Sequence, residues 1–183
     1  YGKGVRHSMT EVFSLEDIDA IELGLSSDTY LVQSIKELKN IPFLSNSDAH
    51  SLEKIGREYQ QIMLKKPSFS ELALALKNKE GRGISKNFGL NPRLGKYYRT
   101  TCDHCFTVVE DEQAHFCEKC NSKSITRGVF ERITQLSSDG EEGKERPPYI
   151  HQVPLQFIPK LGPKTLEKLR KLFANDMNII NNI

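Results

Sequence analysis

Apolar positions in IDAIELGLS (18–26) run together and stop at Gly24, which predicts a short, mostly buried strand. In the following SDTYLVQSIKELKN, Tyr30, Leu31, Ile35 and Leu38 fall close to one helical face, and Asp28 is placed to cap the start. IPFLSNSDAH then predicts a second strand. Strand, helix of roughly three turns and strand make a βαβ unit, whose strands pair in parallel. PSFSELALALKNKEG predicts a further helix, with a capping box at Ser68 and Glu71, a stripe of Phe69, Leu72, Ala73 and Leu76, and Gly81 to close it. The periodicity then fails: GRGISKNFGLNPRLGKYYRTT reads as an irregular, basic connector. In TRGVFERITQLSS, Val129, Phe130, Ile133 and Leu136 share a helical face expected to pack on the segment before it, and SSDGEEGKERPP is a polar linker. VPLQFIPKLGPKTLEKLRKLF holds two helical patterns around a tight Leu161-Gly162-Pro163 turn, the second with a stripe of Leu166, Leu169, Leu172 and Phe173.

Composition narrows this picture. At 183 residues, 37% hydrophobic, the chain is sized for one large domain or two to three small ones. No run of 18 apolar residues is present, which excludes a helical membrane span, and the polar, basic opening from Tyr1 to Phe13 is no signal peptide. Tyr rather than Met at position 1 fits a chain that begins inside a longer product. The net charge of +2 hides an uneven distribution. Arg82, Lys86, Arg93, Lys96 and Arg99 lie in a stretch without acidic residues, and Lys160, Lys164, Lys168, Arg170 and Lys171 face Glu167 alone. Two basic stretches favour an anionic partner, although either alone would read as a solvated face.

All four cysteines fall in two pairs, Cys102/Cys105 and Cys117/Cys120. A two-residue spacer lets both thiolates of one turn reach a tetrahedral Zn²⁺, and the second pair closes the shell; a pair of redox-active dithiols is the rival reading. Such a closed site is structural, and a reducing, cytoplasmic compartment suits it. FTVV and the segment around His115-Phe116 are expected to pair as a hairpin, with Asn121 tolerating the left-handed backbone of the second turn. Asp48 and His50, two apart beyond the second strand, point to one side of an extended chain and offer a carboxylate and an imidazole to a metal. The bland alternative makes Asp48 the cap of a helix near Leu52. Arg93, Lys96 and Arg99, interleaved with Phe88, Tyr97 and Tyr98, suit a nucleic acid, or else an ordered linker.

Ile158 to Thr165 (IPKLGPKT) resembles the helix-hairpin-helix signature of apolar-Pro-x-apolar-Gly-x-Lys-Thr. The resemblance implies DNA binding without sequence preference, by Gly162, Lys164 and Thr165 with Lys160 and Lys168 adding charge. Pro163 departs from the donor-rich pattern, and a plain hairpin with solvated lysines is the alternative. Taken together, AIELGLSSD, FLSNSDAHSLEKIGREY, GLNPRLGKYY, the four cysteines, RGVFERI and PPYIHQVPLQFIPKLGPKTLEKL resemble the endonuclease Q family. That resemblance implies an α/β fold with small modules. Residues 1–84 would be the C-terminal part of a distorted β/α barrel of the polymerase-and-histidinol-phosphatase (PHP) type. Residues 85–138 would be a basic connector with the zinc ribbon and its helix, and 139–183 a linker and hairpin. It implies cleavage of DNA on the 5′ side of deaminated bases such as uracil or hypoxanthine. Asp48 and His50 would be ligands of a catalytic cluster of Zn²⁺, Mg²⁺ or Mn²⁺ in the full-length protein, completed by ligands upstream, including a His-x-His that this sequence lacks. Glu22 and Arg57 also match family wording. A non-catalytic DNA-binding module with structural zinc is the alternative.

Overall fold

The computed structural model describes residues 6–111, 113–137, 145–153, 155 and 158–172. They form two compact units, one ending at Ile150 and one beginning at His151.

The expected parallel unit is present but clipped. Strand β1 (Ile21–Glu22) pairs in parallel with β2 (Phe43–Leu44), Ile21 opposite Phe43 and Glu22 opposite Leu44. Between them, α1 is a single turn (Thr29–Val32), capped as expected by Asp28, whose carboxylate accepts from Leu31 N–H at 2.8 Å. The expected three turns do not form. Ile35 turns extended (φ −78°, ψ 109°) and a 3-10 turn, Lys36–Leu38, follows, so that Val32, Ile35 and Leu38 all enter one core. Phe43 and Ile133 complete it, with Met9, Ile21, Leu23, Leu31, Val129 and Leu136 around the edge. Helix α3 (Val129–Leu136) therefore lays its apolar face on the α/β core instead of on the ribbon.

The basic connector holds the longest strand among the described residues. β4 (Gly83–Leu90) pairs antiparallel with β3 (Tyr59–Met63), with a bulge at Gln61/Ile62, and the strand starting at Tyr149 (β7, Tyr149–Gln152) completes the order β3-β4-β7. Its alternation is hidden in the sequence because two inward positions are Asn87 and Gly89, a polar and a side-chain-free residue. A Cβ at Gly89 would overlap the Tyr149 hydroxyl and crowd the Glu58 carboxylate, so this strand needs glycine where the cluster closes on it.

Helix α2 (Phe69–Leu76) starts where the capping box predicts, with Ser68 Oγ accepting from Glu71 N–H. The predicted stripe is corrected, because Phe69 is 92% exposed and the buried residues are Ala75 and Glu71. Glu71 does not reach back to the cap. It accepts from Lys65 N–H and, at 2.9 and 3.1 Å, from Nε and Nη2 of the buried Arg82.

The hairpin expected between FTVV and His115-Phe116 is replaced by two separate knuckles. Cys102 O accepts from Phe106 N–H and Cys117 O from Asn121 N–H; Phe106 (φ 55°) and Asn121 (φ 56°) occupy matching left-handed positions. The strand pair is instead β5 (Thr101–Cys102) with β6 (Ile125–Thr126). The ribbon joins α3 through Glu131, whose carboxylate accepts from Arg99 Nε (2.6 Å) and Thr100 N–H (3.0 Å), while Gly128 N–H donates to Thr100 Oγ1. A Cβ at Gly128 would overlap Glu131 and the Arg99–Thr100 backbone. Gly128→Ala is expected to lower stability by about 1–3 kcal/mol in a urea titration, the range for forced overpacking.

In the second unit, α4 (Pro163–Leu172) packs Leu166 and Leu169 on Leu155 and Leu161. Leu172, expected in the stripe, is 77% exposed. Phe173, Gln156 and Phe157 lie outside the described residues, as does most of the polar linker.

Candidate metal sites and nucleic-acid interface

The four cysteine sulfurs converge. All lie within 4.8 Å of one another, and the Cys102–Cys120 and Cys105–Cys117 pairs stand at 3.5 Å. That spacing is far longer than a disulfide bond and close to the edge of a tetrahedron of sulfurs each about 2.3 Å from a zinc ion. The donor set and its packing thus fit a four-coordinate metal with no open position. The knuckle backbones prepare the thiolates: the hydroxyl and N–H of Thr107 hold Cys105 down to about 6. Cys120 goes the other way. An N–H from Ser122 lowers it, but burial and the three neighbouring sulfurs push it up to about 12. A cluster that cannot hold four negative charges by itself is one whose last protons a cation displaces.

Asp48 and His50 also come together, at the carboxyl end of β2. His50 Nδ1 lies 2.8 Å from the Asp48 carbonyl and 3.9 Å from its carboxylate, and both side chains are exposed. A donated Nδ1–H at that carbonyl leaves Nε2 as the lone-pair nitrogen, the arrangement in which histidine meets a metal. Asp48 takes a left-handed backbone (φ 44°), and Arg57 Nε holds the preceding turn by donating to Ser47 O at 2.7 Å. The alternative cap role is not realised, since the turn at Leu52–Lys54 begins at Ser51 without a side-chain cap.

Polar residues beside this turn form a connected support. Ser45 N–H donates to Gln60 Oε1, Gln60 Nε2 to Asn46 Oδ1, and Asn46 Nδ2 to Glu22 Oε2 at the end of β1. Gln60 escapes the sequence reading because EYQQIM lacks alternation, its register shifting at Gln61/Ile62, and Asn46, just past β2, carries no pattern of its own. Beneath them Glu58, 2% exposed, accepts from Leu90 N–H with one oxygen, and burial raises its carboxyl to about 7.

The basic residues separate into two kinds. Arg93 and Lys96 extend from a 3-10 turn (Pro92–Leu94) and the residues after it, Lys96 lying over the Tyr97 ring at 4.5 Å. Arg99 is committed to Glu131 and lies 5.5 Å over the Phe130 ring. At the α4 turn, Lys160, Gly162, Lys164, Thr165 and Lys168 are all exposed. Gly162 N–H donates to Lys160 O, and Thr165 N–H to Gly162 O.

Comparison with known proteins follows this geometry closely. A family described as PHP-associated (PHP_C) matches residues 30–81, which carry Asp48 and His50. The chain is 50% identical over 182 residues to the Bacillus subtilis protein YqxK, covering 99% of this chain and 46% of that one. It is 43% identical to MJ0043 of Methanocaldococcus jannaschii, covering 90% of this chain and 23% of that one. The crystal structure of the lesion-specific endonuclease PfuEndoQ from Pyrococcus furiosus superposes with a TM-score of 0.84 at 33% identity, over 97% of this chain and 48% of that one. Along nearly its whole length the chain is similar to endonuclease Q. A second endonuclease Q structure, complexed with a 27-mer duplex bearing an abasic lesion at the active site, matches with a TM-score of 0.82 at 34% identity. The chain thus spans about half of each endonuclease Q chain it matches, and less than half of the two sequence relatives. Among the described residues no helix is long and apolar enough to cross a membrane.

Proposed function

We propose that this chain forms part of a DNA-repair endonuclease that nicks the backbone on the 5′ side of deaminated bases such as uracil or hypoxanthine. The observation that carries the reading is the endonuclease Q likeness over 97% of the chain, joined to a D-x-H pair at a strand end. Asp48 and His50 would hold a divalent ion, Zn²⁺, Mg²⁺ or Mn²⁺, with further ligands supplied from outside this pair. Such ions, when bound, supply an acidified water and charge stabilisation for a phosphodiester. The protein's own part is positioning: Arg57 and the Asp48 carbonyl set the angle of the two donors, and the Glu22–Asn46–Gln60 relay holds the strand ends beneath.

Residues 1–84 would form the barrel portion, 85–138 the connector and ribbon, and 139–183 the linker and DNA-gripping hairpin. The four cysteines would hold one structural zinc. Phosphates would meet Lys160, Lys164, Lys168 and Thr165 at the α4 turn, the Lys164 N–H, and Arg93 and Lys96 of the connector. Gly162 serves the turn's geometry, because its own N–H is occupied. Arg99 contributes through Glu131, fixing the ribbon on α3, and a damaged, weakly stacked base is the easier one to extrude.

The test is strand scission by the whole protein that contains this chain, with a duplex holding one deoxyuridine and each divalent metal. A nick mapped 5′ to the uracil, reduced about tenfold or more by Asp48→Asn, is the expected result. Equal cleavage of an unmodified duplex would overturn it. A second reading, a DNA-binding module without chemistry, is favoured by one fact: among the described residues the four cysteines form the sole group of three or more metal-ligating side chains. Lesion-duplex binding without scission under every metal would establish that reading.

A further inference from the structure

The turn that carries Asp48 and His50 is the first leg of a closed loop. Arg57 Nε donates to Ser47 O at 2.7 Å and ties the two ends together. Left-handed backbone at Asp48 (φ 44°) and at Gly56 (φ 72°) turns the chain out and back. A Cβ built on Gly56 would meet nothing within 4 Å, so this glycine serves the backbone and not the packing. The tip is braced too. Lys54 N–H donates to Ser51 O (3.1 Å), Ile55 N–H to Leu52 O (3.3 Å) and Arg57 N–H to Lys54 O (3.3 Å).

What the braced tip displays is apolar: Leu52 is 86% exposed and Ile55 66%. A scattered surface leucine needs no explanation, but its position here does. Ser51 is extended (φ −153°, ψ 159°), a backbone that sends the residues on either side of it, His50 and Leu52, toward one side. A phosphodiester brought to the exposed His50 imidazole and Asp48 carboxylate therefore has Leu52 beside it, where a nucleic acid carries sugar and base. The faces of stacked bases are apolar, and hydrocarbon side chains enter between them without leaving a polar group unpaired. Lys54, exposed on the same turn, supplies a cation for a flanking phosphate. We infer that Leu52, backed by Ile55, is a positioning wedge that enters the DNA base stack beside the bond to be cut and fills the space left by an extruded base. The inference rests on reading Asp48 and His50 as part of the cleaving centre. The closed foot and hydrogen-bonded tip hold the side chain out before DNA arrives, so little further ordering opposes its insertion.

The test separates opening the stack from cutting the strand. The whole protein that contains this chain is mixed, without added divalent metal, with a duplex in which 2-aminopurine neighbours a deoxyuridine. Its fluorescence is expected to rise as the neighbour unstacks, a rise that Asp48→Asn keeps and Leu52→Ala loses. With divalent metal present, Leu52→Ala is expected to slow scission at paired uracil about tenfold, but at uracil in a short unpaired bubble by less than about twofold, because a bubble has no stack to open. Leu52→Met, which keeps the reach and the hydrocarbon, should restore both signals. An undiminished fluorescence rise in Leu52→Ala, or an equal fall on paired and bubble substrates, would overturn the wedge and assign the tip to packing against another polypeptide segment. A fluorescence rise that depends on Leu52 in a protein that cuts neither substrate would instead overturn the cleavage reading and leave the wedge standing.

Discussion

Stripping the metal from the four-cysteine centre is expected to unfold residues 101–126 while the α/β core stays folded. The ribbon has almost no apolar interior of its own. Its buried residues are Cys102, Cys117 and Val109, and the large apolar side chains Phe106 and Phe116 are 81% and 52% exposed. Two two-residue strands cannot stand without the ion that ties the knuckles together. Structural zinc sites contribute on the order of 10 kcal/mol at neutral pH, more than a segment of this size gains in any other way. The core around Val32, Phe43 and Ile133 includes no ribbon residue, so the loss stays local. Metal analysis should return one zinc per chain. Hydrogen exchange after chelation, or in Cys117→Ala, should show amides 101–126 losing protection while those near β2 and α3 keep it. Metal-free protein with its thiols oxidised to disulfides would refute the assignment, as would uniform loss of protection.

Glu58 is expected to make the protein less stable as pH rises through neutrality. Burial lifts its carboxyl from the ordinary 4.5 to about 7, against the pull of Leu90 N–H and Arg57 and with help from the charge of Glu22. The folded state therefore holds a proton that the unfolded chain releases near 4.5. Its stabilising share is whole below pH 4.5, drains away between 4.5 and 7, and is gone above. That difference is worth about 3 kcal/mol for a group this enclosed. Glu58→Gln removes the titration while keeping shape, so its urea midpoint should equal the parent's at pH 4.5 and exceed it at pH 8. Identical pH profiles for parent and variant would show that Glu58 titrates normally. Glu71 acts oppositely at the acid end. The Arg82 guanidinium holds it down to about 2, so its contribution is present above 4.5 and lost as pH falls toward 2.

Much of the chemistry was legible before any coordinates, because it rests on spacing that is short in sequence. Cys-x₂-Cys fixes two sulfurs within one turn whatever surrounds it, and Asp48-x-His50 keeps two donors together past a strand end. The caps at Asp28 and Ser68 are equally local, since each bonds an N–H three residues on. What sequence left obscure was long-range. β4 reads as a connector in sequence because Asn87 and Gly89 occupy inward positions, and only Phe43 O, Glu58 and Tyr149, brought from elsewhere in the chain, explain why a polar residue and a glycine belong there. Helix α3 carried a clear apolar face, but its partner was not written in it. An apolar stripe specifies that it is buried, not against what.

The sequence by itself determined the two Cys-x₂-Cys pairs, the D-x-H pair, the parallel βαβ start and the basic turn ahead of α4, encoded by neighbours fewer than about four residues apart or by a direct periodicity. Tertiary structure alone decided which cations remain available and which are spent, as with Arg99 on Glu131 and Arg82 on Glu71. It alone also raised Glu58 and closed the loop from Ser47 to Arg57 so that its tip displays Leu52 and Ile55. The reason is physical: a charge or an amide has the same intrinsic chemistry anywhere in the chain, and only the surroundings assembled by folding set the cost of burying it and the partner that offsets that cost.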